Sequence, residues 1–204
     1  MIKAIETVYK GYRFRSRLEA RWAVFFDALG VKWEYEEEGF IVGDGIAYLP
    51  DFYLPNNQIW VEVKGGFDNI DWHKLISAVD WNRGLPGTDG SFGGSGGLLI
   101  LGNIPCFQNE RCFHPILQHL KGVWLCEAEF LFHVGGGEIS VATSNKYYAD
   151  SSWGGDYDDI ADATKQNING RFIKNTIAQI EVRNAYDKAR SARFEHGESG
   201  YQSK

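Results

Sequence analysis

The 204-residue chain reads as an α/β (α+β) protein with a mixed central β-sheet flanked by helices. Two observations predict this. Apolar residues recur at helical spacing in residues 16–29 and alternate at strand spacing in the segments that follow. The resulting order is helix, strands, helix, strands, helix, which builds a layered sheet-and-helix domain.

In chain order, "SRLEARWAVFFDAL" (16–29) is the first helix. Leu18, Trp22, Phe25 and Leu29 line its apolar stripe, Ser16 is a suitable N-cap and Gly30 a suitable residue just past its end. "VKWEYE" alternates Val31, Trp33 and Tyr35 and reads as a strand, followed by the strands "GIAYLPDFYL" and "QIWVEVKG". A helix is expected over "NIDWHKLISAVDWNR", where Ile70, Leu75, Ile76 and Val79 are moderately periodic. Residues 84–97 form a Gly-rich connection without the Gly-Lys-Ser/Thr element of a phosphate loop. "LLILG" (98–102) is a short buried strand, and residues 122–143 read as two strands around Gly135–Gly137. "GRFIKNTIAQIEVRNAYDKARSARFEH" reads as one long helix. The whole of 1–204 is expected to be a single domain, with a core at about 9–145 and a helical segment at about 157–198.

Composition narrows the function classes. A hydrophobic fraction of 44% and an aromatic fraction of 15% allow a substantial core. No apolar run is long enough to span a bilayer and the first residues lack a signal-peptide pattern, so neither a membrane association nor export is expected. Cys106, Cys112 and Cys126 are an odd count, which fits a reduced, cytoplasmic chain. The net charge of −6 argues against nucleic-acid binding when taken alone, but the charge is unevenly spread. Lys10, Arg13, Arg15, Arg17 and Arg21 crowd the N-terminal region, while Glu34–Glu38 and 156–162 are acidic. The run Glu36–Glu38 is expected on a face turned away from a nucleic acid.

The chemistry concentrates in "YLPDFYLPNNQIWVEVKGG" (48–66). With a turn at Asn56-Asn57, Leu54 faces Ile59 and Asp51 faces Glu62. Strand alternation puts Lys64 on the side of Glu62 and turns Ile59, Val61 and Val63 the other way. Two carboxylates set opposite each other repel, and more so where partly buried. A hard divalent cation such as Mg²⁺ compensates directly, with the Val63 carbonyl as a further ligand and Lys64 placed to orient a water or neutralise a phosphate. The bland alternative is an Asp51–Lys64 ion pair on a wet sheet face. Glu19 borders the apolar stripe of the first helix, where it either reaches the site or closes a capping box on Ser16. Arg15, Arg17 and Arg21 flank it, as phosphate contacts would.

A helical glutamate in "FRSRLEARW", then Pro50-Asp51, then "EVK" at Glu62–Lys64 resembles the PD-(D/E)xK nuclease superfamily, nearest its small members from phages and mobile elements. The resemblance covers about residues 9–66. It implies a restriction-endonuclease-like core and Mg²⁺- or Mn²⁺-dependent hydrolysis of phosphodiester bonds, with DNA as partner and RNA left open. On that resemblance Asp51 and Glu62 bind metal, Lys64 assists the water, and Glu19 supports or ligates the metal. Arg13, Arg15, Arg17, Arg21 and Lys74 are the expected nucleic-acid contacts, and a homodimer is an open arrangement because duplex cleavage by a small enzyme often uses two sites. The competing expectation is a catalytically inactive nuclease-fold protein that binds DNA or a protein in phage recombination, assembly or counter-defence.

Other candidates rank lower. Cys106, Cys112, His114, His119 and Cys126 lack the compact CxxC knuckle, so buried structural cysteines are expected in preference to Zn²⁺ ligands. His73 is read as incidental, and Trp60, Trp72 and Trp81 as core in preference to base-stacking platforms.

Overall fold

Helix α1 spans Arg17–Leu29 in the computed structural model, which describes residues 5–66, 70–88, 96–106, 110–119, 122–142 and 171–194. Ser16 caps it through the Glu19 amide, and Gly30 ends it with φ 77°, a left-handed conformation that disfavours side chains. The same close approach requires glycine across from it: a Cβ on Gly136 would lie 2.9 Å from the Gly30 carbonyl oxygen. Before the helix, β1 (Thr7–Tyr9) and β2 (Tyr12–Phe14) pair as an antiparallel hairpin, an element the sequence pattern did not announce.

The strands β3 (Glu34–Tyr35), β6 (Phe52–Leu54), β7 (Ile59–Val63), β8 (Gly97–Leu101), β9 (Glu110–His119), β10 (Val123–His133) and β11 (Gly136–Ala142) lie side by side in the order β11-β10-β9-β8-β7-β6-β3. Only β7 and β8 among these neighbours run parallel, so the sheet is mixed. A further strand, β12 (Arg171–Ile177), pairs with β9. A small separate hairpin joins β4 (Phe40–Val42) to β5 (Ile46–Tyr48).

Side chains alternate across β7 into two cores. Ile59, Val61 and Val63 join Trp22, Phe25, Phe26, Phe52 and Phe130 under α1, while Trp60 joins Tyr48, Leu75, Leu98 and Leu117 under α2 (Trp72–Ala78). Helix α3 (Ile180–Ser191) closes the first layer: Tyr186 stacks on Phe25 with ring centroids 4.4 Å apart. Trp22 is fully buried, and its indole N–H donates to the Gly102 carbonyl at 2.8 Å, tying α1 to the end of β8.

The C-terminal expectation needs correcting. The expected single long helix is a strand followed by a helix of twelve residues, Ile180–Ser191. Its first part carries the β-branched Ile173, Thr176 and Ile177, and its backbone completes hydrogen bonding along β9. Residues 157–170 and 195–198 of the expected helical segment, and 89–95 of the Gly-rich connection, lie outside the described residues. The expected strand "GIAYLPDFYL" is also divided, because Pro50 cannot donate to a ladder.

Candidate metal and nucleic-acid site

The β6–β7 hairpin has the expected register: Leu54 faces Ile59 and Phe52 faces Val61, which extrapolates to Asp51 facing Glu62. The left-handed residue of the turn is Gln58 (φ 54°), however, rather than an asparagine. At Asp51 the ladder slips, since its amide donates to Val61 at 3.0 Å while its carbonyl accepts from Glu36. The strands separate at this point, and the Asp51 carboxylate turns back to accept from the Val63 amide at 2.6 Å. Asp51 and Glu62 are 4% and 6% exposed, so both acids of the hairpin are buried.

On the α1 side, Glu19 is also buried, and three donors hold it. They are the Ser16 hydroxyl at 2.6 Å, the Tyr35 hydroxyl at 2.6 Å and the Arg15 amide at 3.1 Å. Ser16 accepts from the Glu19 amide in return, so Glu19 serves the helix cap and the site at once. The Arg15 guanidinium donates to Asp51 at 2.6 Å and pairs with Glu36. Burial disfavours its charge, yet Asp51 and Glu36 leave it more firmly protonated than usual.

On the α2 side, Glu62 accepts from the Tyr48 hydroxyl at 2.7 Å, and its other oxygen lies 2.5 Å from the Lys64 ammonium. Lys74 lies over the Tyr48 ring, 5.2 Å from its centre. Tyr48 and Lys74 also line a shallow hollow of about 330 Å³ with Phe40, Ile41 and Leu49.

Asp51 sits electrostatically between the two sides. Burial pushes its carboxyl well above the ordinary range, and the charges of Glu62 and Glu19 push it further against the lowering effects of the Val63 amide and Arg15. Burial likewise raises the Tyr35 and Tyr48 hydroxyls, assisted by Glu19 and Glu62 respectively, so both remain donors.

Ligand oxygens of Glu19, Glu36 and Asp51 all lie within 4.8 Å of one another. Glu36 is a correction: the sequence placed it on a face turned away, whereas φ of 43° turns it inward to Arg15. Tyr35 and Tyr48 were also missed, because each sits in an alternating strand and reads as core. The available signal was that a buried tyrosine hydroxyl needs a partner.

The predicted basic residues divide. Arg13 is exposed and pairs with Glu6 at 3.3 Å, and Arg15 is engaged by Asp51 and Glu36. Arg17 and Arg21 have no ion pair among the described residues. His73 is exposed, Cys112 and Cys126 are buried and Cys106 is exposed. His114 is buried with Nε2 2.7 Å from the Tyr186 hydroxyl and 3.8 Å from Cys112 Sγ.

Comparisons assign no family: no family model matches the sequence, and no curated protein or solved structure matches it. Among the described residues, no helix is long and apolar enough to cross a membrane.

Proposed function

We propose that this protein is a metal-dependent nuclease that hydrolyses phosphodiester bonds in DNA, with Glu19, Asp51, Glu62 and Lys64 as its site. The observation that carries the reading is the charge balance of the cluster. Fully ionised, the four carboxylates Glu19, Glu36, Asp51 and Glu62 exceed the two cations Arg15 and Lys64 by two charges, and without a further cation burial and the neighbouring carboxylates push the Asp51 carboxyl up to about 8. A hard divalent cation, Mg²⁺ or Mn²⁺, matches that excess and the all-oxygen donor set. Asp51, Glu19 and Glu36, whose oxygens lie within 4.8 Å of one another, would hold it, with Glu62, outside that group, and the Val63 carbonyl as further candidates. Such an ion supplies Lewis-acid polarisation of a phosphoryl oxygen.

The chain's own residues have distinct tasks. Ser16, Tyr35 and Tyr48 fix the carboxylates in place before any ligand arrives. Lys64 places its side-chain nitrogen just past β7, beside Glu62, where it can neutralise a phosphate or orient the attacking water. Lys74 brings a second ammonium to the same side.

The test is incubation of the purified protein with plasmid, linear, single-stranded and branched DNA in Mg²⁺ or Mn²⁺. Cutting by the parent, lost in Asp51→Ala and Lys64→Ala variants that remain folded, supports the proposal. Absence of metal-dependent cutting on every substrate removes it. A second reading is a non-catalytic binder of DNA or a protein partner in a phage task. It draws on the pairing of Asp51 with Arg15 and Glu62 with Lys64, which partly neutralises both acids without a metal.

A further inference from the structure

The cationic residues of the N-terminal region are not equivalent. Lys10 pairs with Asp27 at 3.0 Å, Arg13 with Glu6, and Arg15 with Asp51 and Glu36. Arg17 and Arg21 are different. They stand one turn apart on α1, where side chains four residues apart are neighbours, and like charges at that spacing repel. Neither has a carboxylate partner among the described residues. Arg21 Nε is, in addition, buried without a hydrogen-bond partner among the described residues, which is unfavourable for a charged donor.

Their position is defined by the residues beside them on the helix. Leu18 reaches to 3.9 Å from the site of a Cβ on Gly65, the residue after Lys64. Trp22 bonds to Gly102, just past β8. The pair is therefore carried by the helix that packs against the carboxyl ends of the parallel strands β7 and β8, where open sheets commonly bind ligands.

We infer that Arg17 and Arg21 form a phosphate clamp on the flank of α1 away from Glu19, which grips the backbone of the nucleic acid. A bridging phosphate relieves the repulsion between the guanidinium groups and offers oxygen acceptors to their N–H donors. The assignment rests on the nuclease reading for the class of ligand, a nucleic-acid backbone, but the clamp itself needs no metal. It also separates roles that the sequence grouped together, since Arg13 and Arg15 are committed to carboxylates.

The experiment measures binding of a fluorescent DNA duplex in EDTA, as a function of salt, for the parent, Arg17→Gln/Arg21→Gln and the control Arg190→Gln, whose arginine pairs with Asp187. Each lost phosphate contact lowers the salt slope by about 0.9, so the double variant loses about 1.8 from the slope of log K against log salt. Its Tm stays level or rises, because a repulsive pair is gone, and Arg190→Gln keeps the parent slope. A parent that does not bind in EDTA, or a double variant with an unchanged slope, overturns the clamp. So does a double variant whose lowered Tm accompanies the parent's slope, which marks the arginines as structural. Inorganic phosphate that competes as well as DNA at equal phosphate concentration overturns the nucleic-acid assignment. Loss of the slope without metal-dependent cutting supports the clamp while removing the nuclease activity.

Discussion

Acidification tests the anchoring of α3 on the sheet. His114 is wholly buried among Trp22, Phe130 and Tyr186, with one ring nitrogen bonded to the Tyr186 hydroxyl and Nδ1 without a partner among the described residues. Burial lowers its pKa from 6.5 to about 3. The unfolded chain thus takes up a proton below pH 6.5, while the folded protein resists until about pH 3. Between these limits the unfolded state binds more protons, so stability falls as pH falls. At pH 5 the difference of 1.5 pH units from the unfolded value corresponds to about 2 kcal/mol. The measurement is urea unfolding at pH 7 and pH 5 for the parent and His114→Gln. The parent is expected to lose about 2 kcal/mol more than the variant over that interval, and comparing the two removes the acid-dependence of every other group. Equal losses, or an imidazole NMR titration of His114 near pH 6.5, would refute the burial argument.

Other perturbations reach the site and the core separately. Asp51→Asn is expected to abolish a Mn²⁺-induced rise in Tm by differential scanning fluorimetry without lowering the metal-free Tm, because it removes one of the crowded acids. Tyr48→Phe leaves a buried Glu62 oxygen without its donor and is expected to cost about 1–3 kcal/mol in chemical unfolding, with DNA cutting reduced as Glu62 loses its fixed position. Phe25→Ala opens a cavity between Tyr186 and Phe130 and is expected to cost about 3–5 kcal/mol, measured in the same way.

Local patterns made the elements around the hairpin legible. Ser16, the apolar stripe and Gly30 specify α1 at both ends, and alternation fixes the β6–β7 register, Phe52 opposite Val61, because a one-residue slip would move Val61 into the other core. Asp51 itself departs from simple alternation because Pro50 ends the ladder there, so its carboxylate is oriented by long-range partners. Glu36 was hidden for a related reason. Its inward turn depends on a positive φ that no glycine or asparagine announced. The β9–β12 pairing joins residues distant in sequence, and local spacing at 170–196 was read with a helical period that the tertiary ladder overrides. The division of basic residues into paired and unpaired groups likewise depends on which carboxylate each meets in space.

Arg15 separates the cation-site reading from a purely structural network. Its guanidinium holds Asp51 and Glu36, but the side chain is 55% exposed, so the pairs are screened and their loss resembles that of surface ion pairs, about 1 kcal/mol, more than that of a buried pair. Arg15→Gln removes one positive charge and raises the excess of the fully ionised acids from two to three. If the acids bind a divalent ion, the variant loses about 1 kcal/mol without metal but binds Mn²⁺ more tightly than the parent, because a competing cation has gone and the field at the acids is stronger. Isothermal calorimetry and unfolding with and without Mn²⁺ read both effects. If the acids and Arg15 form only a structural network, the same variant is destabilised and Mn²⁺ restores nothing. Mn²⁺ affinity that is unchanged or weaker in Arg15→Gln would therefore remove the cation site even if the parent cuts DNA.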